Sequence, residues 1–204
     1  MLVYIFQGLG YGFSAVTQPG PFQTFVISHT LRRGWRRALP VSLAPLISDG
    51  PIIALMLLVL SQVPPWLIQV LHIAGGLFVL YLAWSAYRSW RDDDTAPVET
   101  TSRQQGILKA AVTNALSPGP YIFWGTVTGP ILIAGWREMP ANGVGFLLGF
   151  YVAMVGALVG MIVVFGTARQ LGPKVNRALL GISAVALAAF GIYQLWLGVT
   201  GMLA

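Results

Sequence analysis

Among the residues that can carry charge or transfer a proton, Asp49 has the most unusual surroundings. It lies at the middle of the otherwise apolar stretch Ala38–Leu60. An ionised acid at the centre of a membrane helix costs about 3 kcal/mol, so it needs a partner, a cavity or a proton. Asp49 is therefore predicted to bind a substrate amine or to couple protons by alternating between ionised and neutral forms. A third, local interpretation is that it caps the amides of a helix that restarts within Ser48–Pro51.

Two Pro-Gly-Pro motifs, Pro19–Pro21 and Pro118–Pro120, interrupt apolar stretches that are long enough to cross a bilayer. A proline in a helix interior costs about 3 kcal/mol because it cannot donate a backbone hydrogen bond and clashes with the preceding turn. Backbone groups freed in this way persist in a membrane only where protein, polar side chains or water satisfy them. We therefore expect both breaks to line a polar cavity. The alternative is a pair of proline kinks accommodated by helix packing.

The residues in and around the two motifs form the predicted substrate-binding site. That site consists of Gln18, Pro19, Gly20, Pro21, Asn114, Ser117, Pro118, Gly119 and Pro120, with Thr17, Gln23, Thr24 and Thr113 nearby. A new half-helix is expected to begin after each motif, so its unpaired amides and positive dipole end would face the membrane midplane and favour an anionic group. The alternative is that these side chains only cap loose backbone.

The composition indicates the elements that position these residues. Hydrophobic residues make up 56% of the chain and charged residues only 9%, whereas an ordinary soluble domain has about 25% charged residues. Six apolar stretches exceed the roughly 20 residues that a membrane-crossing helix requires. They are Val3–Leu31, Ala38–Leu60, Trp66–Tyr87, Ile107–Trp136, Gly143–Ala168 and Ala178–Ala204. We predict an all-α membrane protein with six transmembrane helices, of which helices 1 and 4 are broken at Pro-Gly-Pro.

The basic residues indicate how the chain is oriented. All except Arg137 lie in or beside the loops that follow the first, third and fifth spans. Because basic loops face the cytoplasm, both termini are predicted to lie outside. The net charge of +6 is therefore attributed to membrane orientation rather than to nucleic acid. The predicted partners are the lipid bilayer, a small solute and protons.

The polar segment of residues 89–106 divides the chain into similar halves. Residues 1–88 form a predicted first three-helix repeat, residues 89–106 a cytoplasmic linker, and residues 107–204 a second repeat. Each half has an odd number of spans, so the second enters the membrane from the opposite face. Inverted repeats of this kind are common in secondary transporters. The linker is predicted to be solvated, with a regulatory or partner-binding role as the alternative.

The favoured interpretations of the two histidines and of four regularly spaced glycines are structural. His72 is interpreted as a packing residue, with proton relay as the alternative, and His29 as an interfacial residue. Two small-xxx-small pairs are predicted to let helices approach closely, either within one subunit or between subunits of a homo-oligomer. They are formed by Gly145, Gly149, Gly156 and Gly160.

The sequence does not support nucleotide binding, metal binding or catalysis. It has no Gly-rich phosphate loop, no His, Asp and Glu at metal-ligand spacing and no convincing catalytic set, and it contains no cysteine. We therefore predict no cofactor, no metal site and no enzymatic activity. The favoured interpretation is a secondary transporter that works by alternating access. The alternatives are a non-transporting membrane scaffold, an accessory factor for moving a lipid-like molecule and, as a third class, an intramembrane enzyme.

In these motifs the chain resembles the LysE/RhtB family of small bacterial amino-acid exporters, the LysE-type translocators. The likeness covers nearly the whole length and includes Pro19–Pro21, an Arg-rich loop with Gly34, an acid in the second span and a variable linker. The resemblance implies a multi-pass protein of the bacterial inner membrane. It also implies export of amino acids or related small metabolites, driven by the proton-motive force.

The second motif departs from the family pattern. Members of the family have an Asn-Pro-Lys sequence preceded by another Asn. Here Asn114 and Pro118 stand at matching positions, whereas Ser117 and Gly119 replace the second Asn and the Lys. This difference affects the prediction of the substrate more than the prediction of the fold.

Overall fold

The computed structural model describes residues 1–59, 65–91 and 103–203, and within these ranges all regular structure is helical. The α-helices are α1 (Leu2–Thr17), α2 (Pro21–Arg33), α3 (Trp35–Ala38), α4 (Ala44–Val59), α5 (Pro65–Arg91), α6 (Arg103–Ala115), α7 (Pro118–Phe123), α8 (Gly129–Glu138), α9 (Pro140–Ala168) and α10 (Pro173–Leu203). Two 3₁₀ segments cover Leu39–Leu43 and Arg169–Leu171, and a π-helical turn covers Trp124–Thr128.

Four helical stretches of the described residues are long and apolar enough to cross a membrane. They are Trp35–Leu57, Trp66–Arg91, Pro140–Ala168 and Pro173–Met202, which correspond to the predicted second, third, fifth and sixth spans. The predicted first and fourth spans are instead divided among shorter helices, α1 and α2 in one case and α6 to α8 in the other. The all-α membrane class is thus supported, while the count of six spans stays a prediction.

The first break lies at the predicted motif. Helix α1 ends at Thr17, and α2 begins at Pro21 after an extended Gly20. In a continuous helix the Ala15 carbonyl would accept from the N–H of residue 19, but that residue is a proline. The side-chain Nε2 of Gln23 donates to the Ala15 carbonyl instead, at 3.1 Å. A polar side chain therefore satisfies the backbone that the motif frees.

The second break lies slightly earlier than predicted. Helix α6 ends at Ala115, Leu116 and Ser117 are not helical, and Pro118–Pro120 forms the first turn of α7. The prediction was wrong in detail because proline is well tolerated at the first position of a helix, where its missing N–H would have had no partner anyway. The Tyr121 hydroxyl donates to the Ala115 carbonyl at 2.9 Å. This bond bridges the second break as Gln23 bridges the first.

Close backbone contact joins α1 to α9. A Cβ atom placed on Gly12 would lie 2.8 Å from the carbonyl carbon of Phe150, and one on Gly8 would lie 2.8 Å from the Phe150 nitrogen. In return, a Cβ on Gly149 would collide with the Ile5 carbonyl oxygen. Small residues on both helices therefore allow the backbones to touch.

Only one of the two predicted glycine pairs packs in this way. Gly145 and Gly149 face α1, which confirms a packing role within the subunit. A Cβ on Gly156 or Gly160 would meet nothing within 4 Å among the described residues. On α1, Gly8 and Gly12 form a further pair of the same spacing that contacts the α9 backbone at Phe146 and Phe150, and this pair was not predicted.

Helices α5 and α10 form the second long contact of the fold. A Cβ on Gly76 would lie 2.9 Å from the Gly191 carbonyl oxygen, so these helices also meet at glycines. A Cβ on the neighbouring Gly75 would collide with the Leu116 carbonyl at the second break. The α5–α10 pair is thereby held against the interrupted segment between α6 and α7.

The predicted linker is helical at both of its ends. Helix α5 continues to Arg91, and α6 already begins at Arg103. The Ser89 hydroxyl donates to the Ser85 carbonyl at 3.1 Å, and the Tyr87 and Trp90 rings lie 5.7 Å apart, so local contacts prolong α5. The rest of the predicted linker, residues 92–102, lies outside the described residues.

Candidate functional site

The two helix breaks face one cavity. It has a volume of ≈ 270 Å³, and its walls include every residue of the predicted binding site together with Asp49. Of these, Gln18, Pro19 and Gly119 are exposed, Gly20, Pro21 and Pro120 are half-buried, and Asn114, Ser117 and Pro118 are buried. Residues almost one hundred positions apart in the chain therefore meet at a single site.

Asp49 lies in the wall of this cavity, with a side chain only 2% exposed. Asn114 donates from Nδ2 to Oδ1 of Asp49 at 2.8 Å and also contacts the Ser48 hydroxyl at 2.8 Å. The indole of Trp124 and the hydroxyl of Tyr151 lie beside the carboxylate and interact with it electrostatically. Polar groups from three different helical segments thus surround the buried acid, which needs such partners.

The structure contradicts the purely local interpretation of Asp49. Helix α4 runs without interruption from Ala44 to Val59 and contains Pro51 in its interior. No helix restarts at residues 48–51, so Asp49 does not occupy a capping position. The interpretation was wrong because α4 tolerates an internal proline, and the carboxylate is satisfied by side chains of other elements.

The two half-helix ends offer different numbers of backbone donors to the cavity. At the start of α2, Pro21 has no N–H, which leaves the amides of Phe22 and Gln23 without an acceptor in their own helix. At the start of α7, Pro118 and Pro120 both lack an N–H, so only Gly119 retains one. The predicted anion-favouring end is therefore richer in amides at α2 than at α7.

Several residues of the cavity were not assigned to the site by the sequence analysis. Trp124, Phe150, Gln194 and His72 line it, and Tyr151 contacts Asp49 from α9. Trp124 and Phe150 are buried, and their rings are 5.0 Å apart. His72, interpreted above as a packing residue, is half-buried in the cavity wall.

The residues that the sequence did not assign to the site have no local sequence marker of the kind that Asp49 and the two motifs have. Trp124 follows the second motif by a few residues and starts the π-helical turn, whereas Phe150, Tyr151 and Gln194 lie in long apolar helices without a local marker. Within the described ranges, no three His, Asp or Glu side chains come close enough together to hold a metal ion.

Comparisons with known proteins show which family the sequence resembles. A family model described as LysE type translocator matches residues 13–198. The arginine exporter protein ArgO of Klebsiella pneumoniae (strain 342) is 25% identical over 170 residues, which cover 77% of this chain and 80% of the relative. No solved structure matches the chain significantly.

Proposed function

The chain belongs to the LysE type translocator family, and from this premise we propose that it is a secondary transporter that exports amino acids or related small metabolites. The observation that carries the proposal is the shared cavity, in which both helix breaks and Asp49 come together. Polar backbone and a buried acid at that depth are expensive unless a solute or a proton uses them.

An inverted repeat is supported by the way the helices pair. Helix α1 packs along α9, and α6 packs along α4. If residues 1–88 and 107–204 are inverted copies, α1 corresponds to α6 and α4 corresponds to α9. The α1–α9 contact and the α6–α4 contact are then equivalent under the symmetry of the repeat. Alternating access then follows from rocking one repeat against the other around the cavity, which stays near the midplane.

The site suits the two ends of a zwitterion. The free amides at the start of α2 and the Gly119 amide favour a carboxylate. The Asp49 carboxylate favours an ammonium group or a proton, and we assign it the coupling role. Proton-motive force would then drive export through exchange of a proton for the solute. The positive-inside pattern supports an orientation in the bacterial inner membrane with both termini on the outer side.

Counterflow in proteoliposomes tests this function directly. Purified protein is expected to exchange at least one radiolabelled amino acid, and a pH gradient is expected to drive net movement of that solute against the proton flow. The screen includes arginine, the solute in the name of the Klebsiella relative. Folded protein that exchanges none of these solutes would contradict the proposal and favour a scaffold or an accessory factor.

Gly119→Leu is expected to impair transport while leaving assembly intact. A Cβ at Gly119 would meet no atom within 4 Å, so the helix accepts the side chain, but its remaining atoms would occupy the cavity. An overpacked contact costs about 1–3 kcal/mol, and we expect a corresponding loss of solute affinity of roughly 5- to 150-fold. Concentration-dependent exchange in proteoliposomes measures this loss.

The matched control is Gly160→Leu, which also adds a side chain where a Cβ would meet nothing within 4 Å but lies outside the cavity. It is expected to transport like the wild type. Normal solute affinity in Gly119→Leu would show that the second motif does not face the substrate.

A further inference from the structure

The charges that line the cavity restrict the solutes it accepts. Asp49 is the only acidic residue among the described residues of the wall, and no Lys or Arg lines it. His72 is neutral or cationic and is never an anion. An amino acid with a cationic side chain would bring two positive groups into a cavity that offers one carboxylate, and an unpaired buried charge is strongly unfavourable.

Asp49 itself has little capacity for a second cation. Asn114 already donates to Oδ1 of this carboxylate, the side chain is only 2% exposed, and Trp124 and Tyr151 lie beside it. An ammonium group or a proton needs only one acceptor position there. A guanidinium prefers to donate two parallel bonds to one carboxylate, and at this buried carboxylate it would have to displace Asn114 or one of the neighbouring rings.

The rest of the wall is apolar or uncharged. Phe22, Phe150, Met154, Leu158, Phe190 and Leu197 contribute hydrocarbon and aromatic surface. The volume of ≈ 270 Å³ is slightly below the range of about 300–1,000 Å³ that is typical of sites for drug-sized ligands. Such a space favours a small solute whose side chain is apolar or aromatic.

Gln194 of α10 is a polar residue in this largely apolar wall. Its side chain lines the cavity and is only 6% exposed, and Oε1 has no hydrogen-bond partner among the described residues. A buried acceptor without a partner is unfavourable, and a bound solute that donates to it would remove that deficit. The amide can satisfy a neutral polar group or an ammonium hydrogen, but it cannot neutralise a guanidinium.

We propose that the cavity selects α-amino acids with an uncharged, apolar or aromatic side chain, and that Gln194 is a specificity-determining residue that hydrogen-bonds them. This inference rests on the proposed function and narrows its substrate class. Asp49 provides the single negative charge for coupling, the aromatic residues of the wall contact the side chain, and Gln194 contributes a polar but uncharged group.

Counterflow with leucine, phenylalanine, arginine and lysine tests the selectivity. Wild-type protein is expected to exchange the first two at least about tenfold faster than the last two, a discrimination within reach of an active-site pocket. The purified protein should also be stabilised against heat by leucine and not by arginine at equal concentration. Equal or faster exchange of arginine would overturn the inference and leave the transporter function standing, whereas exchange of no amino acid would overturn both.

Gln194→Glu tests the role of the residue itself. The variant adds a second carboxylate to the wall and is expected to raise the ratio of arginine to leucine exchange about tenfold or more. Gln194→Leu introduces no charge and is expected to leave that ratio low. The matched control Gln7→Glu adds the same charge on an exposed part of α1 outside the cavity and should not change the ratio.

An unchanged ratio in folded Gln194→Glu would overturn the assignment of Gln194. If that variant does not fold, Gln194→Leu decides the matter: losing the hydrogen bond is expected to weaken leucine affinity about 2- to 10-fold, and unchanged leucine affinity would overturn the assignment.

Discussion

Asp49→Asn is expected to abolish proton-driven transport while the protein still folds. The asparagine keeps a carbonyl oxygen that accepts from Asn114, but it has neither the charge nor the proton that coupling requires. A hydrogen bond to a charged group is worth about 1.5–3 kcal/mol, so solute binding is expected to weaken roughly 10- to 150-fold if the ammonium also contacts Asp49. Solute flux under a pH gradient in proteoliposomes measures the coupling.

Glu138→Gln is the matched control for this substitution. Glu138 is the other acid of the described helices, and it contacts Tyr4 and Asn142 away from the cavity. It is expected to retain proton-driven flux. Wild-type coupling in Asp49→Asn would refute the coupling role and leave His72 as the titratable histidine of the cavity wall to be tested next.

Gly12→Leu is expected to destabilise the fold. A Cβ on Gly12 would already collide with the Phe150 carbonyl oxygen, which is backbone and cannot turn aside. Overpacking costs about 1–3 kcal/mol, and for a chain of this size we expect the melting temperature to fall by roughly 2–12 °C. Thermal unfolding of detergent-purified protein, followed by size-exclusion chromatography, measures the effect.

Gly10→Leu provides the comparison on the same helix. A Cβ on Gly10 would meet nothing within 4 Å, so the larger side chain should leave the melting temperature nearly unchanged. Equal stability of the Gly10 and Gly12 variants would mean that α1 and α9 do not pack backbone to backbone.

The sequence contained enough local information to predict part of the site. A single acid or a Pro-Gly-Pro motif in an apolar stretch departs from its surroundings, and this departure identified Asp49 and both breaks. The polar residues beside the motifs, such as Asn114, followed from the same argument. The four long helices also agree with predicted apolar spans, because length and hydropathy alone determine them.

The remaining residues of the site depend on which face each helix presents to the cavity. Tyr151 and Gln194 lie in helices that are apolar nearly all round, so their sequence surroundings do not show where they point. The bonds from Gln23 and Tyr121 to freed carbonyls depend on the bend at each break. Gly8 and Gly12 have the four-residue spacing of Gly145 and Gly149 and were open to prediction from the sequence.

The two motifs also determine what kind of motion the interrupted helices permit. None of their prolines has an N–H, so the carbonyls four residues earlier can never receive the i→i+4 hydrogen bond of an α-helix, whichever way the protein faces. These carbonyls belong to Ala15, Thr17, Asn114 and Leu116. The two interrupted helices therefore cannot become fully hydrogen-bonded at the motifs. If they change shape during a cycle, we expect the bend to occur at these positions.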